Sequence, residues 1–330
     1  MAAAEPALLR AWYRSAPWLW LLRPLELLFR GVSWMRRRAY RCGLLSVYRA
    51  AVPVVVVGNI TVGGTGKTPV VIALVEALQA RGLRPGVISR GYGAARGAVF
   101  PHRVGADSSA RDCGDEPLLI HLRTGAPCVV SPNRVAALRM LLADTTVDLV
   151  LSDDGLQHYA LGRDFEIALM DASRQLGNGF CLPAGPLREP RARLNEVDYL
   201  LCRGSDDPRH GVIYESQGLV RVIEETNAAP AAIPAPGSAI HAITGIGQPQ
   251  QFFASLEAAG FSLSPRVLPD HHPFSAADFA GLDDKPIIMT EKDAVKCRGF
   301  ATPQMWFLKI SARVPAPLLE AVAALAHPRS

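Results

Sequence analysis

The feature that most restricts the fold is a glycine-rich octapeptide that follows a run of four valines. The octapeptide reads TVGGTGKT and occupies residues 61–68, whereas the valines occupy residues 54–57. Pro69 comes next, and proline fits the first turn of a helix because its missing amide hydrogen is not needed there. A buried strand, a glycine loop and a helix in this order predict main-chain amides that converge on phosphate at the positive end of a helix dipole.

The residue types in this loop fit a nucleotide that is bound together with magnesium. The ammonium of Lys67 suits the β- and γ-phosphates, and the hydroxyl of Thr68 suits Mg²⁺. Thr61 stands where the strict pattern has glycine, and a glycine-rich turn that happens to precede a lysine is the alternative interpretation. We predict that the nucleotide is bound by the eight residues Thr61, Val62, Gly63, Gly64, Thr65, Gly66, Lys67 and Thr68.

Beyond residue 51, short β-rich runs alternate with helix-length segments and predict an α/β fold with a P-loop-type parallel sheet covered by helices. The runs are almost continuously hydrophobic, as is typical of strands buried on both faces. Turn-forming residues are frequent over 206–238, and we expect a connector there. The predicted regions are an N-terminal segment 1–50, a P-loop core 51–205, the connector 206–238 and a smaller α/β domain 239–330. The predicted strands are 52–57, 85–89, 127–130, 147–152, 165–170, 197–202, 240–244, 286–290 and 306–310.

Composition excludes several classes of protein. Hydrophobic residues make up 49% of the chain and charged residues 20%, which is not the composition of a disordered protein. Six cysteines occur without a Cys-x-x-Cys pair, so we predict reduced thiols rather than a disulfide scaffold or a zinc ribbon. Residues 1–50 hold nine arginines and two glutamates and carry a net charge of +7, whereas the whole chain carries only +5. A nearly neutral body with one basic end argues against a nucleic-acid-binding protein.

The basic N-terminal segment also holds four of the five tryptophans and predicts an amphipathic helix. Its longest uncharged stretch before Phe29 is residues 15–22, shorter than the roughly 20 apolar residues of a membrane span. We predict that the helix lies in a membrane surface; a stripe docked on its own domain and a distorted span are the alternatives. One predicted face holds Trp18, Leu21, Leu25, Leu28, Val32 and Met35, and the opposite face holds Arg23, Glu26, Arg30 and Arg37.

Two acidic pairs and a histidine pair are candidates for chemistry. Asp153 and Asp154 follow a predicted buried strand, where Walker-type sites place carboxylates that reach Mg²⁺. Asp115 and Glu116 precede a proline, so helix capping alone would also explain them. The histidines at 271–272 could bind a metal, cap a helix or lie on the surface.

Taken in order, the motifs resemble those of the tetraacyldisaccharide 4'-kinase family, the membrane-associated P-loop kinases of lipid A biosynthesis. The resemblance extends from the N-terminal segment to about Arg298, and glycine is also absent from the first loop position in that family. The segments that carry it are PVVVVGNITVGGTGKTP, VISRGYG, GDEP, SPNR, SDDGLQHY, GNGFCLPAGPLRE, PDHH and MTEKDAVKC.

The resemblance implies ATP-dependent phosphorylation of the 4'-hydroxyl of a tetraacylated glucosamine disaccharide 1-phosphate, with Mg²⁺, at the cytoplasmic face of the inner membrane. It makes this lipid and the membrane surface the expected partners, and it points to no protein partner. It further implies that Asp115 is the general base, paired with His271; Lys67, with its charge on the phosphates, is the third predicted catalytic residue. The carboxylates implied for Mg²⁺, beside Thr68, are Glu116, Asp153 and Asp154. The residues implied for the phosphorylated substrate are Arg90, Tyr92, Arg134 and Arg188.

Two other activities remain open at the level of sequence. A P-loop kinase of a small soluble metabolite would use the same loop, with a purely structural N-terminal helix. A membrane-docked nucleotide switch would hydrolyse its nucleotide without a pair of residues that activates an acceptor. The segment 290–297, with the sequence TEKDAVKC, receives no predicted role.

Overall fold

The computed structural model describes residues 7–223 and 232–326. Most of these residues belong to a mixed β-sheet and to the helices that cover it, so the fold is of the α/β class. The strands of this part are β1 Val54–Gly58, β2 Pro85–Ser89, β3 His102–Val104, β4 Cys128–Val130, β5 Leu149–Asp153, β6 Phe165–Asp171, β7 Tyr199–Arg203, β8 Gly211–Arg221, β9 Ala239–Thr244, β10 Ser262–Val267, β11 Ile287–Thr290 and β12 Met305–Arg313. The α-helices are α1 Ala7–Arg14, α2 Arg23–Arg41, α3 Lys67–Gln79, α4 Ala110–Cys113, α5 Asp115–Thr124, α6 Arg134–Asp144, α7 Pro249–Ala258, α8 Glu291–Cys297 and α9 Ala316–Leu325, and short 3₁₀ helices cover Pro17–Leu22, Arg191–Glu196 and Ala276–Phe279.

The strands form one sheet in the order β10-β9-β11-β12-β8-β7-β6-β1-β5-β2-β4-β3. Strand β1 lies between β5 and β6 and is parallel to both. Its side chains alternate between two cores, with Val55 and Val57 on one face of the sheet and Val54 and Val56 on the other. Burial on both faces explains the unbroken hydrophobic run that predicted this strand.

All nine predicted strands are present, and their ends agree with the structure to within three residues. Three strands were not predicted, and each of them has exposed positions: β3, β8 and β10. Strand β8 corrects the predicted connector 206–238, because residues 211–221 pair with β7 on one side and with β12 on the other. Its side chains are mostly exposed, so it lacks the hydrophobic signal of a core strand. Residues 224–231 of that segment lie outside the described part of the chain.

The N-terminal segment forms α1, the first 3₁₀ helix and α2, with Pro24 in the first turn of α2. Trp12 and Leu19 are buried in a small core that also contains Val62 and Leu182. Trp12 Nε1 donates a hydrogen bond to the carbonyl of Pro183 at 3.0 Å. These contacts attach the segment to the body of the protein beside the glycine-rich loop.

Helix α2 differs from an ordinary surface helix, because its polar face is turned toward the body of the protein and its apolar face is exposed. Glu26 is buried, pairs with Arg23 and Arg30, and accepts a hydrogen bond from the amide of Cys181 at 3.2 Å. Arg37 on the same face forms an ion pair with Glu196. The predicted apolar face is divided between two elements: Trp18 and Leu21 lie in the 3₁₀ helix Pro17–Leu22, whereas Leu25, Leu28, Val32 and Met35 lie in α2. All six side chains are exposed. In the described ranges, no helix combines the length and the apolar content that crossing a membrane requires.

Candidate active site

The glycine-rich loop connects the carboxyl end of β1 to the first residue of α3, which is Lys67. Gly63 and Gly66 adopt φ values of 106° and 83°, in the left-handed region that favours glycine. The amide of Val62 donates to the carbonyl of Pro186 at 2.8 Å, which anchors the start of the loop. Thr68 is buried in the first turn of α3, so the loop leads directly into a helix N-terminus.

Four polar residues meet beside this loop and form what we call the loop cluster: Asn59, Lys67, Asp154 and Arg188. Lys67 Nζ lies 3.4 Å from Asp154 Oδ1 and 3.3 Å from Asn59 Oδ1. Arg188 approaches the same carboxylate at 2.8 Å and donates to the Asn59 carbonyl at 2.9 Å. Burial opposes ionisation of Asp154, but Lys67 and Arg188 outweigh it and hold the pKa of Asp154 below its usual range. Two cations thus share one carboxylate, which leaves excess positive charge beside the loop.

Asp153 has a different environment from its neighbour. It is buried at the end of β5, in register with Val57 of β1, and Ser89 Oγ donates to its Oδ2 at 3.2 Å. Burial and the charge of Glu116 raise its pKa to about 7, although Lys67 opposes this. Its Oδ1 is a buried oxygen without a hydrogen-bond partner in the described part of the chain. A hard divalent cation would satisfy such an oxygen, so Asp153 fits a magnesium ligand.

The second group of polar residues unites the two halves of the chain, and we call it the bridging cluster: Asp115, Glu116, His271 and Lys292. Asp115 is the first residue of α5, and its Oδ2 lies 3.0 Å from His271 Nδ1. Its Oδ1 accepts a hydrogen bond from the amide of Glu116 at 2.9 Å. The predicted pairing of Asp115 with His271 is therefore present in the geometry.

Lys292 in α8 supplies the cation of the bridging cluster. Its Nζ lies 2.9 Å from Glu116 Oε1, 3.4 Å from His271 Nε2 and 3.9 Å from Asp115 Oδ2. Burial alone would raise the pKa of Asp115, but hydrogen bonding to His271 and the charges of Lys292 and Lys296 lower it. Burial would lower the pKa of Lys292, but Glu116 and Asp115 outweigh it and raise that pKa. Segment 290–297, which had no predicted role, thus contributes to the site.

The donor atoms of Asp115, Glu116 and His271 lie within 4.8 Å of one another, close enough to hold a metal ion. In the structure, however, the ammonium of Lys292 already makes the contacts that a cation would make there. Glu116, predicted as a magnesium ligand, is accordingly paired with Lys292. Among the predicted metal ligands, Asp153 keeps an oxygen without a hydrogen-bond partner in the described residues, and Thr68 is buried in the first turn of α3.

The four predicted substrate residues have different surroundings. Arg90 and Tyr92 are exposed, and the Tyr92 ring packs edge-on against His271 with ring centroids 4.8 Å apart. Arg188 belongs to the loop cluster. Arg134 is only 1% exposed, and its guanidinium donates to the carbonyls of Ser131, Asp153 and Asp154. Arg134 therefore supports the end of β5 from behind and does not face solvent.

Three polar residues that shape the site were not predicted from the sequence: Asn59, Tyr214 and Gln248. Asn59 bonds both Lys67 and Arg188, and its position between β1 and the loop was the available signal. Tyr214 and Gln248 contact the loop from the C-terminal half, with no local pattern to mark them. Short polar contacts between distant segments leave no periodicity in a sequence.

A glycine-rich loop between a central parallel strand and a helix, with carboxylates on the adjacent strand end, defines an α/β phosphate-binding protein. Within this class, the chain belongs to the tetraacyldisaccharide-1-P 4'-kinase family, whose model matches residues 18–327.

Relatives that match nearly the whole chain agree with this assignment. A tetraacyldisaccharide 4'-kinase of Pseudomonas paraeruginosa is 53% identical over 94% of this chain and 93% of its own length. That of Azotobacter vinelandii is 52% identical over 96% of this chain and 95% of its own. A crystal structure of LpxK from Aquifex aeolicus in complex with ATP superposes with a TM-score of 0.76, at 25% identity, over 94% of this chain and 99% of that one.

Proposed function

We propose that this protein transfers the γ-phosphate of ATP to the 4'-hydroxyl of a tetraacylated glucosamine disaccharide 1-phosphate. Family membership supports the activity, since relatives that match nearly the whole chain are tetraacyldisaccharide 4'-kinases. The observation that carries the proposal within the molecule is the contact of His271 with Asp115, close to the loop cluster. A nucleotide switch would need no such pair, because it activates no acceptor hydroxyl.

Transfer requires a sugar hydroxyl to attack the γ-phosphorus in line with the departing ADP. A bond forms between the hydroxyl oxygen and the γ-phosphorus, and the bond from that phosphorus to the bridging oxygen of ADP breaks. The hydroxyl proton passes to the carboxylate of Asp115, which its lowered pKa keeps ionised and ready to accept. Because this carboxylate is a weak base, the proton moves as the new bond forms and the hydroxyl becomes acidic.

His271 and Lys292 orient that base. The ammonium of Lys292 can only donate, so His271 Nε2 accepts, and Nδ1 carries the proton that bonds to Asp115. Lys292 also offsets the charge of two adjacent carboxylates, which would otherwise repel each other and the phosphates.

The loop cluster receives the nucleotide. Lys67 and Arg188 are cations that share Asp154, and phosphate oxygens can replace that carboxylate as their partner. The buried hydroxyl of Thr65 has no partner in the described part of the chain, and it is positioned in the loop to meet a phosphate oxygen. Thr68, Asp153 and Asp154 would hold Mg²⁺, which when bound neutralises charge on the β- and γ-oxygens.

The orientation of α2 supports association with the cytoplasmic face of the inner membrane. Its polar face is joined to the body through Glu26 and Arg37, and its apolar face is exposed. Aromatic and aliphatic side chains flanked by arginines suit the boundary between lipid headgroups and acyl chains. A substrate with four acyl chains stays in the bilayer, so the helix would bring the loop to its headgroup.

A transfer assay tests the reaction. ATP labelled on its γ-phosphate is supplied with tetraacyl disaccharide 1-phosphate in mixed micelles, and the label is followed into lipid, soluble compounds and free phosphate. We expect lipid-dependent labelling of the disaccharide at the 4'-position. Label in a water-soluble acceptor would instead identify a metabolite kinase, and lipid-independent free phosphate would identify a switch.

A vesicle assay tests the membrane surface. Deletion of residues 1–40 would also remove the buried Trp12, Leu19 and Glu26, so substitutions on the exposed face are the cleaner change. The double variant Leu21→Ser with Leu28→Ser should release the protein from phosphatidylethanolamine–phosphatidylglycerol vesicles in a flotation assay. Ile213→Ser, which changes an exposed apolar side chain on β8, is the matched control. Full flotation of the double variant would refute the role of this face.

A further inference from the structure

Two side chains from the C-terminal half reach the outer side of the glycine-rich loop. The hydroxyl of Tyr214, on β8, donates a hydrogen bond to the carbonyl of Gly66. Gln248, immediately before α7, donates from Nε2 to the carbonyl of Gly64 at 2.9 Å. The two contacts thus hold alternate peptide units of the loop.

The direction of these carbonyls decides the direction of the next amides. In a planar trans peptide, the C=O of one residue and the N–H of the following residue point to opposite sides. When Gln248 holds the Gly64 carbonyl outward, the amide of Thr65 turns inward. Tyr214 acts in the same way through Gly66 on the amide of Lys67. Inward amides are the groups that cradle a phosphate.

The side chains around Gln248 and Tyr214 determine that each of them donates to the loop. Arg203 donates to Gln248 Oε1 at 2.7 Å, and a guanidinium cannot accept, so the amide must present Nε2 to Gly64. Arg203 is held in turn by Asp171 at the end of β6. Burial raises the pKa of the Tyr214 phenol, so this hydroxyl keeps the proton that it donates.

Packing around Gly66 shows how closely Tyr214 follows the loop. A Cβ atom at position 66 would lie 2.4 Å from the Tyr214 hydroxyl oxygen, and the φ of 83° also disfavours any side chain there. Gly66 therefore permits both the left-handed turn and the approach of the tyrosine.

We propose that Tyr214 and Gln248 are positioning residues for the nucleotide, which fix the Thr65 and Lys67 amides in their phosphate-binding orientation before ATP arrives. The inference rests on the proposed ATP-dependent function and adds a second task for the C-terminal half. That half supplies His271 and Lys292 to the base, and through these two residues it also sets the affinity of the loop for ATP. Preorganisation of this kind lowers the ordering cost of binding.

The test compares Tyr214→Phe and Gln248→Met with the wild-type protein. Each variant keeps the bulk of its side chain and loses one hydrogen bond to a loop carbonyl, and Gln248→Met also loses the hydrogen bond that Arg203 donates to Oε1. We expect each to weaken Mg·ATP binding in calorimetry by about 5-fold, the typical net worth of one hydrogen bond. The KM for ATP should rise in the same ratio, while kcat at saturating ATP and the KM for lipid change by less than about 2-fold.

Tyr199→Phe is the matched control, because its hydroxyl also donates to a main-chain carbonyl, that of Arg209, away from the loop. It should bind ATP like the wild type. Unchanged ATP affinity in both test variants, or an equal loss in Tyr199→Phe, would overturn the inference. If Tyr214→Phe melts at a much lower temperature, Gln248→Met decides alone. Failure of the wild-type protein to bind ATP would refute the proposed function instead.

Discussion

The loop cluster and the bridging cluster differ in how the chain builds them. Asn59, Lys67, Asp154 and Arg188 all come from residues 51–205, mostly from loops at the carboxyl ends of adjacent parallel strands. In the bridging cluster, Asp115 and its partner His271 are 156 residues apart. Phosphate binding therefore depends on residues at one edge of the sheet, whereas activation of the acceptor hydroxyl requires residues from both halves of the chain. Substitutions in the two clusters should accordingly separate nucleotide handling from acceptor chemistry.

The largest effect is expected in the loop cluster. Lys67→Ala removes a charge that stabilises the transferring phosphoryl group, so turnover at saturating ATP should fall by about 10³-fold or more. Thr68→Ala should act in the same direction through the loss of a magnesium ligand. Lys285→Ala is the control, because this lysine precedes β11 and donates to Ser264 Oγ. If Lys67→Ala turned over at the wild-type rate, the glycine-rich loop would have no part in the mechanism.

In the bridging cluster, the effect should fall on kcat alone. Asp115→Asn should lower kcat by about 10²-fold or more, because general-base assistance is worth that much, while ATP affinity stays nearly constant. His271→Ala should lower kcat too, and the double variant should be little worse than the poorer single variant because the pair acts as a unit. Rescue of Asp115→Asn by raised Mg²⁺, or losses that multiply, would show that Asp115 serves the metal instead.

Lys292 should give a smaller loss, since it touches the base pair and not the reacting atoms. Lys292→Met leaves Asp115 and Glu116 without their shared cation, and we expect kcat to fall by about 10-fold, as for other residues that orient a catalytic group. Lys292→Arg keeps the charge and should recover part of the loss. An unchanged kcat in Lys292→Met, or a loss confined to the KM for ATP, would contradict the role assigned to α8.

The sequence predicted the two clusters unequally. The strand, loop and helix around Lys67 are adjacent along the chain, and a buried strand has a clear hydrophobic signal, so position and residue type sufficed. The pairing of Asp115 with His271 came only from the family resemblance, because no periodicity links distant segments. Lys292 lies in a segment that carries the family resemblance, but no role could be predicted for it from the sequence. For Arg134 the motif was recognised but the surroundings were not predicted. Its burial behind β5 follows from tertiary packing, which a short motif does not encode.

The smallest predicted effect is on the free energy of unfolding, and it concerns Asp153, whose carboxyl lies between the two clusters. The pKa of Asp153 is raised in the folded protein, to about 7, so the stability linked to its proton is present below about pH 4 and is lost as the pH rises through 7. The slope reaches at most about 1.4 kcal/mol per pH unit. In magnesium-free buffer, Asp153→Asn should therefore gain in melting temperature over the wild type at pH 8 and not at pH 4. Parallel melting curves across this range would place its ionisation elsewhere.

The buried Glu26 on α2 has a consequence for how the molecule moves. An anchor on a flexible linker would let the catalytic body tumble above the lipid, whereas the hydrogen bond from the Cys181 amide to Glu26 and the ion pair of Arg37 with Glu196 make helix and body one rigid piece. On a bilayer, such a piece keeps only lateral diffusion and rotation about the membrane normal. The height and tilt of the phosphate-binding loop above the headgroups are then set in advance, and the search for a lipid hydroxyl becomes two-dimensional.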